Sequence, residues 1–137
     1  MSEVRLEGVH VTFVISRPAT GIVLVTITGN DTGEHGDAPF RELEKNIGPG
    51  RAPIELYVDA RTTRLASLNV SSDWARWLGA NRARFRHVSM LTGSRFIQLT
   101  ADFVRKFADL GDLMRLYTDP AAFEGALSAS IASAPPE

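Results

Sequence analysis

Polar and apolar positions first alternate with period two. From Val9 to Ile15 a β-branched and aromatic run is broken by His10 and Thr12, which predicts a strand. Arg17-Pro-Ala-Thr-Gly21 reads as a turn, and a second run, Ile22 to Thr28, returns from it. So short a connection requires an antiparallel hairpin. After a glycine-rich acidic loop, Gly29 to Asp37, the period lengthens to that of a helix. Asp37 can cap it, Pro39 falls in the first turn, Phe40, Leu43 and Ile47 share a face, and Gly48-Pro49 is expected to stop it.

The stretch from Pro53 to Arg86 carries the organising pattern. An apolar run, Ile54 to Val58, ends in Asp59; a polar connection follows, then a long amphipathic helix from about Asn69 or Ser71. Val70, Trp74, Trp77, Leu78 and Phe85 make its apolar stripe. This is half a βαβ unit, whose strand carboxyl end and helix amino end open onto one rim. A working site is expected there. His87 to Thr92 predicts another strand, and Ser94 to Leu110 a helix with Phe96, Leu99, Phe103, Phe107 and Leu110 at helical spacing, a stripe that reads as core or as the lining of an apolar pocket, and Gly111 beyond its end. Leu113 to Thr118 reads as the last strand, and Asp119-Pro-Ala-Ala-Phe-Glu opens the last helix.

The order ββαβαβαβα predicts an α/β fold: a five-stranded mixed sheet with four parallel strands and one antiparallel edge strand, helices packed on it. Residues 1–127 are expected to form a single domain, with 128–137 the end of the last helix and a frayed tail. The length of 137 residues supports one core rather than two.

That order, with the Val-Asp59 strand end, Asp73-Trp-Ala-Arg-Trp-Leu, Arg86-His-Val-Ser-Met-Leu91 and Arg115-Leu-Tyr-Thr-Asp-Pro-Ala-Ala-Phe123, resembles the STAS superfamily. The similarity is greatest to the bacterial SpoIIAA-like branch, related to anti-sigma-factor antagonists and SEC14-like lipid-binding domains. The resemblance implies a regulatory module with a protein partner or a homodimer. Its SEC14-like side implies instead a small lipid-like ligand between sheet and helices. In the antagonists the corresponding strand ends in an aspartate, which Asp59 matches. They also carry, at the start of the next helix, a phosphorylatable serine preceded by an aspartate and followed by Ser-Gly or similar. Ala66-Ser-Leu-Asn-Val-Ser-Ser-Asp73 departs from that pattern, lacking the Asp-Ser pair and the glycine. Ser67, Ser71 and Ser72 are then either phosphoacceptors, favoured by the free N–H groups of a helix start, or simply caps.

Composition narrows the chemistry. The 44% hydrophobic and 23% charged content is that of a globular chain, and a net charge of -1 gives no global pull towards nucleic acid. With no cysteine there is no disulfide, zinc-thiolate site or thiol nucleophile. The amino-terminal segment has acids and no apolar h-region, and no run reaches the roughly 20 apolar residues of a membrane span, so a cytoplasmic protein is expected. His10, His35 and His87 lie at no ligand spacing, and no Gly-x-Ser-x-Gly elbow occurs. We therefore expect no catalytic residues, cofactor or metal. The loop from Gly29 to Asp37 lacks the lysine of a phosphate loop and carries Asp31, Glu34 and Asp37, so it reads as a mobile surface loop, with weak divalent-ion binding as a remote alternative.

Arg76, Arg82, Arg84, Arg86 and Arg95 form the densest basic region, which reads as a solvated face or as an anchor for an anionic lipid head group, a nucleotide or an acidic partner. The candidate interaction or ligand rim is Asp59, Arg61, Arg64, Ser67, Ser71, Ser72, Trp74, Arg82 and Arg86. Its expected occupant is a protein partner, with a small apolar or anionic ligand as the alternative and a serine phosphoswitch as a third.

Overall fold

A computed structural model describes residues 3–47 and 53–135, so the expected helix stop at Gly48-Pro49 lies outside the described residues. Among the described residues six strands form one sheet in chain order: β1 (Glu3–Leu6), β2 (Val11–Ala19), β3 (Ile22–Gly29), β4 (Ile54–Ala60), β5 (Phe85–Thr92) and β6 (Met114–Tyr117). β2 runs antiparallel to both β1 and β3, and β3 to β6 are parallel. The four parallel strands match the expectation. The antiparallel strand does not sit at the edge, because Glu3-Val-Arg-Leu6 adds a sixth strand outside it. This segment alternates charged outward and apolar half-buried positions, a short charged edge that discourages further pairing. The hairpin turn is also tighter than Arg17–Gly21: β2 continues through a bulge between Ser16 and Ala19 that accommodates Pro18, and Gly21 turns the chain at φ 77°.

In the described residues four α-helices alternate with the parallel strands: α1 (Ala38–Ile47), α2 (Leu68–Ala80), α3 (Arg95–Phe107) and α4 (Pro120–Ser133). The three crossovers advance in one direction, so a common hand places α1, α2 and α3 on one face. There Leu43, Ile47, Ala75, Leu78, Ala101 and Val104 pack on Val25, Leu56, Val58 and Val88 in one apolar core. On the opposite face α4 buries Phe123 against Ile22, Tyr57 and Leu91. Helix continues through much of the 128–137 stretch, to Ser133.

β4 lies between β3 and β5, which run the same way, as the apolar run Ile54 to Val58 requires. The helix after it is shorter than its pattern. α2 begins at Leu68 with Ser67 as its cap, the Ser67 Oγ accepting from the Val70 N–H at 3.1 Å. It ends at Ala80, where Asn81 turns its amide onto the Trp77 carbonyl and a 3-10 turn, Arg82–Arg84, leads into β5. Phe85 is thus a strand residue.

α3 corrects a larger expectation. Its buried side chains are Ile97, Ala101 and Val104, followed by Ala108 just past its end, whereas Phe96, Leu99 and Phe107 are 49%, 64% and 72% exposed. Leu110 is buried, beyond the helix. Two apolar stripes share the helical spacing, and the one with smaller side chains turns inward because α3 lies close to the sheet and to α2. A Cβ on Gly79 of α2 would stand 3.4 Å from the Ala108 backbone.

Candidate functional site

The rim at the carboxyl ends of the parallel strands is built from three connections, and most of its polar groups hold them in place. Asp59 leaves β4 on the α4 side and accepts from the Arg61 guanidinium, which also reaches Glu124 of α4 at 2.7 Å. Arg64 donates to the Gly93 carbonyl at 3.3 Å, and the Ser94 hydroxyl donates back to the Arg64 carbonyl. Gly93 is required by this approach, since a Cβ would lie 2.6 Å from the Arg61 carbonyl oxygen. From the other side Asn30 accepts from the Arg64 and Leu65 N–H groups, and Asp31 bridges its backbone to Leu65 and Ser67. The rim's outward apolar residues are Leu65 and Leu68, 53% and 74% exposed, beside the exposed Thr62, Arg64 and Asn69.

The predicted rim residues divide. Asp59, Arg61, Arg64 and Ser67 share this rim. Ser71 is buried in the first turns of α2 and donates to the Ser67 carbonyl, while Ser72 is half-buried. Trp74 packs edge-on against Phe40 of α1, with ring centroids 5.0 Å apart, and lines an apolar cavity together with Thr63, Ala66 and Ser71. Arg82 and Arg86 are not on it. They lie at the opposite end of the sheet, where Phe85 pairs with Ile54, whereas Asp59 pairs with Leu91. A helix carries the chain back along the sheet, so residues near in sequence reach opposite ends. The basic region also breaks up chemically, because Arg76 pairs with Asp73, Arg82 with Asp109 and Arg86 with Glu55.

The loop between β3 and α1 is pinned rather than free. Glu34 accepts from the N–H groups of Val9, His10 and Val11, which hold its carboxyl below the ordinary range, and His35 Nε2 lies 2.9 Å from the Val11 carbonyl. With Glu34 so engaged, the acids of this loop form no metal-binding group among the described residues.

Sequence reasoning missed a polar cluster beneath α4. Glu55, Tyr57, His87 and Ser89 point to that face by strand alternation, and Ser130 descends from α4. Glu55 accepts from His87 Nε2 and from the Ser130 hydroxyl, each at 2.7 Å, and Ser130 meets the Tyr57 hydroxyl. With its proton on Nε2, neutral His87 accepts from Ser89 through Nδ1 at 3.3 Å. Burial lowers the His87 pKa, and bonds from Ser130 and His87 lower that of Glu55 despite its own burial. A serine, histidine and glutamate in line suggest a nucleophile and its base. Ser89 is fully buried, however, and Ser130 ties the glutamate to α4, so the line fastens a helix to the sheet. Only the period-two positions of Glu55, His87 and Ser89 hinted at it.

Behind α2, between the sheet and α3, lies a cavity of about 70 Å³ whose lining is almost wholly apolar. Asp31, Thr63, Ser71 and Thr100 supply its polar edge. The Thr63 hydroxyl is buried without a partner, and burial raises the Asp31 pKa against the pull of the Gly33 N–H and His35.

Among solved structures, the chain is similar to an uncharacterised protein of the DUF3478 family with a SpoIIAA-like fold from Shewanella loihica. The two share 15% identity at a TM-score of 0.63 over 89% of this chain and 98% of that one. An anti-sigma factor antagonist from Mycobacterium paratuberculosis aligns at 17% identity and a TM-score of 0.49 over 90% and 99%. No protein-family model and no curated protein sequence matches. The chain has a SpoIIAA-like fold, and an identity this low speaks to fold alone. No helix among the described residues is long and apolar enough to cross a membrane.

Proposed function

We propose that this chain is a non-catalytic STAS-like regulatory module that binds a protein partner through the rim from Asp59 to Ser72 and the start of α2. The observation that carries this reading is the division of labour at the rim. Its polar groups hold its own loops together, and Leu65 and Leu68 project outward, a composition suited to contact rather than to reaction. The test compares tagged wild type with a Leu65→Asp, Leu68→Asp variant in lysate of the source cells. A stoichiometric partner retained by the wild type and lost by the folded variant supports the reading. Retention by both, or a wild-type chain that recovers nothing and stays monomeric at high concentration, contradicts it.

A second reading is a carrier of a small molecule in the cavity behind α2, supported by the unpartnered Thr63 hydroxyl. The cavity is far too small for a nucleotide, and Asp31 would repel an anion at its edge, which narrows the class to a small uncharged molecule with one hydrogen-bonding group. Native mass spectrometry before and after organic extraction decides it: a mass difference that vanishes supports a carrier, and identical masses oppose one. The phosphoswitch reading narrows to Ser72, since Ser67 caps α2 and Ser71 is buried. Kinase labelling abolished by Ser72→Ala supports it, and an unlabelled wild type opposes it.

A further inference from the structure

We propose that the outward stripe of α3 docks an acidic amphipathic helix of the protein partner; this rests on the module reading and names the chemistry that the partner presents. Phe96, Leu99, Phe103 and Phe107 recur at the spacing of one helix face, and Phe107 stacks on Phe103 with ring centroids 4.2 Å apart. Three of the four are about half exposed or more, although the same helix buries a different apolar stripe in the core. Folding of this chain therefore leaves Phe96, Leu99 and Phe107 uncovered, with Phe103 between them packed partly against the core. The stripe does not stand alone, because the bonds between Arg64 and the Gly93–Ser94 turn bring the rim that carries Leu65 and Leu68 to the amino end of α3. The α3 stripe itself, with residues three and four apart, matches a helix laid along it with anchors at the same spacing.

Charge selects the occupant. Arg64, Arg95 and Lys106 are exposed along this surface, and none pairs with a carboxylate among the described residues. The acid nearest them in α3, Asp102, already faces Arg105 at 3.7 Å. A second copy of this chain fits poorly. Antiparallel apposition of two α3 stripes sets Arg95 against Lys106, and parallel apposition sets each cation against itself. An anionic bilayer would meet the same cations, but the chain as a whole carries a net charge of -1, which opposes it. A partner helix with an apolar face flanked by Asp or Glu satisfies both the stripe and its cationic margin.

The experiment measures fluorescence anisotropy of two labelled helical peptides, each about five turns long, titrated with the full chain. They share one Leu/Phe face and differ only in Glu or Lys flanks. The Glu peptide is expected to bind at least about tenfold more tightly than the Lys peptide, with the difference shrinking as salt is raised. Leu99→Ser with Phe107→Ser should abolish binding of the Glu peptide. Arg95→Glu with Lys106→Glu replaces two exposed side chains, its fold is checked by circular dichroism, and it should reverse the preference to the Lys peptide. Equal binding of both peptides, binding of neither, or no reversal overturns the proposal. So does a wild-type dimer that Phe107→Ser dissociates, or stronger binding to phosphatidylserine vesicles than to the Glu peptide. If the charge reversal leaves the lysate partner bound while Leu65→Asp with Leu68→Asp releases it, the α3 assignment falls and the module reading stands.

Discussion

The two faces of the sheet are held in different ways. Under α1, α2 and α3 the contacts are apolar and nearly continuous, from Val25 and Leu56 through Val88 to Ala101 and Val104. Under α4 a small apolar cluster around Phe123 shares the contact with the Glu55, Tyr57, His87 and Ser130 network. Apolar contact does not titrate, and on this face polar groups such as Thr63 and Asp31 are confined to the cavity edge. A polar face fixes a helix in one position and titrates. The comparison separates a helix tied to the sheet by a serine, histidine and glutamate line from helices seated mainly by apolar contact, on one of which Phe96, Leu99 and Phe107 stay exposed.

Substitutions sharpen that contrast. Leu56→Ala, fully buried on the three-helix face, should lower unfolding free energy by about 2–5 kcal/mol in chemical denaturation. On the other face Glu55→Ala should cost less, about 1–3 kcal/mol, by leaving the His87 and Ser130 donors without their acceptor. Hydrogen exchange should place most of its effect in residues 120–133. If both variants lower global stability equally, the distinction between the faces is wrong.

The polar face should also supply the pH dependence. The folded-state pKa of His87 lies below 6.5, so its contribution is complete above pH 6.5 and is lost as pH falls towards that lower value. Glu55, lowered from 4.5, adds a second loss below pH 4.5. Asp31 acts in the opposite sense: its raised pKa makes the folded state take up protons first, which offsets part of the acid loss above pH 3.8. Thermal melts between pH 7.5 and 5 should show a falling Tm that His87→Gln flattens. An unchanged slope in that variant would place the titration elsewhere. Smaller still, Ser67→Ala should cost about 1 kcal/mol as the cap of α2. Thr63→Val, which removes an unpartnered hydroxyl from the cavity edge, should stay within about 0.5 kcal/mol of wild type.

Strand β4 and the parallel order around it were legible because a short apolar run between helical patterns has few other readings. The inward stripe of α3 was not. Phe96, Leu99, Phe103 and Phe107 carry far larger apolar side chains than Ile97, Ala101, Val104 and Ala108, and only the closeness of α2 and the sheet selects the smaller set. At the site, Asp59, Arg61, Arg64 and Ser67 were legible from the strand-to-helix junction. Arg82 and Arg86 were misplaced because proximity in sequence hid the length of the helix before them. The Glu55 and His87 pair was illegible for the converse reason, since its members lie on adjacent strands and meet a serine from the last helix.

The central claim is that the contact surface of this protein runs from the rim at Leu65 and Leu68 onto α3, and that α4 stands apart from it. Hydrogen exchange of the full chain, free and in complex with the partner recovered from lysate, tests it most directly. The account predicts new protection in residues 64–72 and 95–107 and unchanged exchange in 120–133. Protection confined to 120–133, with residues 64–72 and 95–107 unaltered, would contradict it.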